Sequence, residues 1–108
     1  MFAGVALGAF GAHALRSRLS DHYIEVYKTA VLYHLIHGLA LFAVAWVSQV
    51  TANSKADISG VFLFSGVILF SGSLYALCLT GQKWLGMITP LGGLCFLIGW
   101  AVLFLAIR

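Results

Sequence analysis

Of the 108 residues, 62% are apolar and only 8% charged, and the mean hydropathy is +1.03. A water-soluble domain carries about a quarter charged residues, and six Lys/Arg with three Asp/Glu cannot solvate a globule of this size, so lipid has to be part of the solvent. The net charge of +3 sits on scattered basic residues with no cluster or aromatic-interleaved stripe, which argues against a nucleic-acid partner.

The first segment, residues 1–15, is apolar but short. At helical rise it covers about 22 Å, less than the hydrocarbon thickness of about 30 Å. No basic stretch precedes it, as a signal peptide would require, so the expectation is a first transmembrane helix that is N-terminally truncated. Gly4, Gly8 and Gly11 fall within a narrow sector of that helix and leave a smooth groove for a neighbouring backbone. His13 lies roughly opposite the groove.

Residues 16–28 hold five of the nine charges with amphipathic spacing, Leu19, Tyr23, Val26 and Tyr27 sharing one side. Ser20 suits an N-cap and Asp21 the positive first turn. The segment reads as a short interfacial helix lying at the headgroups between the first two spans. Residues 29–50 carry no formal charge and form the second span, with Tyr33, His34, His37 and Gln49 as its polar members. A polar turn over 51–58 follows, then a third uncharged span over 59–80 in which Ser59, Gly66 and Ser73 recur every seven residues, a coiled-coil-like seam. Residues 81–89 form a short connection with Lys83 and an interfacial Trp84. Pro90 then opens a fourth span over 91–107, where Gly92 and Gly99 repeat the seven-residue spacing. The runs are continuously apolar rather than alternating, so a β-barrel is disfavoured. The fold class is an all-α, single-domain bundle of four transmembrane helices. The glycine and serine faces serve internal packing or self-association.

Loop charges suggest an orientation. The first and third loops carry Arg16, Arg18, Lys28 and Lys83 and the opposite side only Lys55 and Arg108, which places the loops in the cytoplasm and both termini outside.

Residues able to carry chemistry are few. His13, Tyr33, His34, His37 and Tyr75 form a candidate intramembrane polar site. His34 and His37, three apart, share a helix face, and polar groups within a span turn towards the bundle interior. An interhelical hydrogen bond, for example from His37 to Tyr75 or to a backbone carbonyl, is the simplest use. A proton relay is chemically available to imidazoles, although such relays usually include acidic members and no span here has an internal Asp or Glu. Metal binding lacks the further ligands it needs, and haem or quinone binding lacks any other mark. Cys78 and Cys95 sit in apolar runs and read as packing residues. Ser65, Ser71 and Ser73 lack a base at matching spacing, and the TPLGGL stretch lacks the Lys and length of a phosphate-binding loop. No enzyme signature, cofactor site or metal site emerges.

Four strings carry a resemblance: GAFGAHAL (8–15), YHLIHGLAL (33–41), FSGSLYAL (70–77) and GMITPLGGLCFLIGW (86–100). Together, in this order and over nearly the whole chain, they resemble the family called domain of unknown function 423, the YgdD/YwdK-like small membrane proteins of bacteria, with mitochondrial relatives in animals. The resemblance implies four transmembrane helices and a bacterial inner-membrane location, and it implies no activity. Family members begin about ten residues earlier, in keeping with a first helix shorter than the hydrocarbon. The position of His34 is more often Gln there, whereas His13 and His37 match. The functional expectation is a non-enzymatic accessory or oligomerising membrane component in contact with the lipid bilayer, itself or a membrane-protein partner. A proton-coupled carrier or channel for a small solute, and a haem or quinone site, remain as alternatives.

Overall fold

The computed structural model describes residues 1–108 and contains four helices: α1 over Phe2–Leu15, α2 over Asp21–Thr51, α3 over Ser54–Thr80 and α4 over Thr89–Ile107. A tight turn at Lys83–Met87 leads into α4. With their short connections the helices run up and down in a bundle with principal extents of 47 × 26 × 15 Å. Helices α2 and α3, and the stretch Lys83–Ile107, are long and apolar enough to cross a membrane, while α1 is shorter.

The outer surface explains the composition. Only 22 of 108 residues are buried, and Phe2, Phe42, Trp46 and Leu97 stand 88%, 67%, 67% and 70% exposed. Side chains of that size on every outward face are tolerable where hydrocarbon replaces water.

The segment expected as a separate interfacial helix is instead the start of α2. Ser20 is the N-cap, its Oγ accepting from the Tyr23 amide at 3.3 Å, and Asp21 occupies the first turn. The helix then runs unbroken for 31 residues, about 46 Å, well beyond the hydrocarbon thickness of about 30 Å. The surplus is the charged stretch Asp21–Lys28, which projects into the headgroup region as the protruding end of a span. Leu19, Tyr23, Val26 and Tyr27 share a face as the spacing predicts, but they pack against Leu15, Cys78 and Tyr75 rather than against lipid headgroups.

The second connection is shorter than expected. The polar stretch 51–58 contains a break of only two residues. Ala52 closes α2 in the left-handed region (φ 49°), and Asn53 caps α3 by accepting from the Lys55 amide at 3.0 Å. Lys55 and Asp57 therefore belong to the first turn and a half of α3. The third connection has Gly81 in the left-handed region (φ 72°), the usual way to stop a helix.

The main core lies between α2, α3 and α4, built on Ala40, Val44, Val47, Ala56, Leu63, Phe96, Leu103 and Ala106. Within α3 the backbone widens to π-type hydrogen bonding over Val67–Gly72. The extra residue per turn lets Phe70 face α4 while Ser71, fully buried, donates to the Ala30 carbonyl of α2 at 2.7 Å.

Candidate intramembrane site

The inner face of α2 presents Tyr27, Ala30, His34 and His37 in succession, as one stripe of an α-helix must. Two polar networks hang from it. In the first, the Tyr27 hydroxyl donates to the Leu7 carbonyl of α1. The Tyr27 ring lies 5.4 Å from that of Tyr75 on α3, and the Tyr75 hydroxyl shares a 3.0 Å hydrogen bond with His34 Nδ1. This chain joins three helices.

The second network centres on His37. Its Nδ1 lies 2.9 Å from the Tyr33 carbonyl, one turn back, and its Nε2 lies 3.0 Å from Trp100 Nε1 on α4. A carbonyl can only accept and an indole N–H can only donate. The ring is therefore the neutral Nδ1–H tautomer, with both nitrogens engaged. Phe96 stacks on it at 3.6 Å and 12°, and Tyr33 packs against Phe70 at 4.4 Å. His37 is 5% exposed and sits inside an aromatic sleeve contributed by α2, α3 and α4.

The residues expected at the site thus divide. Tyr33, His34, His37 and Tyr75 gather along α2 and α3, but the expected His37–Tyr75 bond is replaced by His34–Tyr75, and His37 takes the backbone carbonyl and Trp100 instead. His13 is exposed on the outward side of α1 and joins neither network. Trp100 and Phe96 carry no role in the sequence reading, and Ser71 enters it only as a serine without a catalytic base. A Trp deep within a span, with an N–H that hydrocarbon cannot satisfy, is the signal for the first of these. Phe96, one turn away, shares its face.

Most of the other buried polar groups are likewise consumed internally. Ser59 donates to the Gly99 carbonyl at 2.7 Å, Ser73 shares a 2.6 Å bond with Thr89, and Cys78 Sγ lies 3.4 Å from the Tyr23 carbonyl. No buried side-chain nitrogen or oxygen is left without a partner. Nowhere do three His, Cys, Asp or Glu side chains converge as metal ligands would. An axial bond from His37 to a haem iron would cost it either the Tyr33 or the Trp100 contact. The small residues meet neighbours within the chain. Gly4, Gly8 and Gly11 face Leu35, Val31 and Tyr27 of α2; Gly66 faces Phe96, Gly92 faces the Phe70 backbone, and Gly99 faces Leu63.

Fold and site together describe a small, multi-pass helical membrane protein whose buried polar side chains are bonded within the bundle. Residues 7–93 match the family described as "Protein of unknown function (DUF423)". The chain is similar to the UPF0382 membrane protein SAB0533 of Staphylococcus aureus (strain bovine RF122 / ET3-1), 48% identical over 102 residues that cover 94% of this chain and 83% of that one. It is similar also to the UPF0382 membrane protein YwdK of Bacillus subtilis (strain 168), 45% identical over 94% of this chain and 84% of the relative. The chain belongs to the DUF423 family. No solved structure matches it.

Proposed function

We propose that the chain is a non-enzymatic component of the bacterial inner (plasma) membrane that works by self-association, with both termini on the non-cytoplasmic side. The observation that supports this is a furrow of about 510 Å³ on the outer side of α2 and α3. Ala45, Ser48 and Gly60 keep its walls low, and Gln49, Asp57 and Ser65 line it with polar atoms. Asp57 accepts from Ser48 at 2.6 Å, whereas the exposed Gln49 amide has no side-chain partner within the chain.

Acyl chains cannot hydrogen-bond a carboxamide, and small residues beside polar ones are what transmembrane helices use to approach and hold each other. A carboxamide both donates and accepts, so Gln49 of two copies can pair about a two-fold axis, the commonest symmetry of self-association. Catalysis finds less support. Ser71 and Ser73 are bonded to backbone carbonyls, and neither is hydrogen-bonded to a histidine. A carrier through His37 would have to release two hydrogen bonds at each cycle.

The test is disulfide crosslinking of Val61→Cys, which lines the same furrow and leaves Gln49 in place, with Cys78 and Cys95 replaced by Ala, in native membranes. A dimer-sized product that disappears in an added Ala45→Trp is expected, and an exclusively monomeric species there and on blue-native gels overturns the reading. For orientation, a maleimide applied to intact cells is expected to label Ser54→Cys and to spare Ser17→Cys; the reverse pattern inverts the topology.

A further inference from the structure

A second cleft, of about 340 Å³, opens between α1 and α2, and no residue of α3 or α4 lines it. Gly8, Gly11 and the exposed Ala12 border it on the α1 side, where the two glycines let Val31 and Tyr27 of α2 close in. Ile24, Tyr27, Val31, Leu32 and Leu35 form its apolar wall, and Arg16 and Lys28 stand at one end.

The order of these residues along the helices is informative. Arg16 follows the last turn of α1 and Lys28 belongs to the protruding polar end of α2, so both cations lie at headgroup level. From Lys28 the apolar wall descends through Val31 and Leu32 to Leu35, about 10 Å deeper at 1.5 Å per residue. No acidic side chain lines the cleft. Glu25 contacts Lys28 at 3.3 Å, but both side chains are about 70% exposed (73% and 68%), and such a pair competes weakly with another anion.

We infer that this cleft is a binding site for one anionic phospholipid, its phosphate between Arg16 and Lys28 and one acyl chain laid past Ala12 along Val31, Leu32 and Leu35. A zwitterionic lipid could fill the apolar wall equally well but brings its own cation to the basic end. Charge therefore supplies the selectivity and the apolar wall supplies the fit. Basic residues at headgroup level contribute roughly a fivefold preference each for an anionic surface, so the pair supports roughly thirtyfold.

The experiment is native mass spectrometry of the full chain, delipidated in detergent and titrated with phosphatidylglycerol or phosphatidylcholine of identical acyl chains. Wild type is expected to retain one phosphatidylglycerol with roughly thirtyfold preference. R16Q/K28Q should bring the two lipids to parity, R16Q alone should remove about fivefold, and A12W, which fills the cleft from an exposed position, should lose both adducts with an unchanged circular dichroism spectrum. Parity in wild type, a preference that survives in R16Q/K28Q, or an undiminished adduct in A12W overturns the site.

Discussion

The pairs α1/α2 and α3/α4 both rest on stripes of small residues, yet they are built differently. Between α3 and α4 the glycines approach main chain as well as side chains. A methyl group on Gly92 would run into the main chain of Phe70, while one on Gly99 would meet Leu63 Cδ2 at 2.7 Å and the Leu63 amide nitrogen at 3.2 Å, and one on Gly66 would meet the Phe96 ring and stand 3.1 Å from the Gly92 carbonyl oxygen. Ser59 then bonds the Gly99 carbonyl directly. Between α1 and α2 the glycines receive side chains: a methyl on Gly4 would stand 2.7 Å from Leu35 Cδ2, one on Gly8 3.2 Å from Val31 Cγ1, and Gly11 lies under the Tyr27 ring. One side-chain hydrogen bond crosses that interface, from Tyr27 to Leu7, and a cleft remains beside it. A stripe of glycines says that something approaches closely; whether that is a backbone or a side chain decides how firmly the pair is held.

The largest effect that would break this contrast is at Gly92. Its neighbour is main chain, so Gly92→Ala is expected to cost about 3 kcal/mol or more, and Gly92→Leu to prevent folding. Gly4→Ala meets the free end of a leucine side chain that can rotate away, and should cost under about 1 kcal/mol. Unfolding in mixed detergent–SDS micelles compares the two, and equal costs would erase the distinction.

A smaller effect is expected from the serine on the tight side. Ser59→Ala removes the hydroxyl bond to Gly99 while the helix backbones stay in contact, at a cost of about 0.6 kcal/mol and at most about 1.7. Tyr27→Phe removes a bond of the same kind on the loose side, where little else ties α1 down. Its global cost should be similar, but α1 should become far more accessible to protease and to amide exchange. If protection of α1 stays at the wild-type level, the cleft side is held as firmly as the other.

Much of this was readable beforehand, for definite reasons. Spans announce themselves because uncharged runs of about twenty residues have few other uses. The seven-residue recurrence of Ser59, Gly66 and Ser73, and that of Gly92 and Gly99, each mark one packing face, since a period near 3.5 keeps one face turned to one neighbour, but do not say which neighbour that is. The continuity of α2 was not readable: hydropathy changes at Thr29 while helix propensity does not, so a boundary in polarity was taken for a boundary in structure. His34 and His37 are recognisable as inward-facing, but their partners depend on register between helices far apart in sequence. The one-turn difference that sends Tyr75 to His34 rather than His37 leaves no trace in local spacing. The π-type turn at Val67–Gly72, which brings Ser71 to Ala30, is likewise absent from any periodic pattern that assumes regular α geometry.

The last effect concerns one of the bonds that join the two pairs, from Trp100 on α4 to His37 on α2. Trp100→Phe keeps the aromatic volume close to its original size and removes only the N–H. The cost should be about 0.6 kcal/mol, since the stacking of Phe96 on the imidazole is untouched. The sharper readout is nitrogen NMR of labelled histidine. In wild type the Nδ1 resonance should carry the proton, because the Tyr33 carbonyl can only accept, and Nε2 should show the shift of a hydrogen-bonded acceptor. In Trp100→Phe the proton should remain on Nδ1 while the Nε2 shift moves to that of an unbonded nitrogen. A wild-type spectrum with the proton on Nε2 would mean that His37 neither bonds Trp100 nor leans on its own helix, and the link between the tight and the loose side would have to be sought in Ser71 and the Ala30 carbonyl instead.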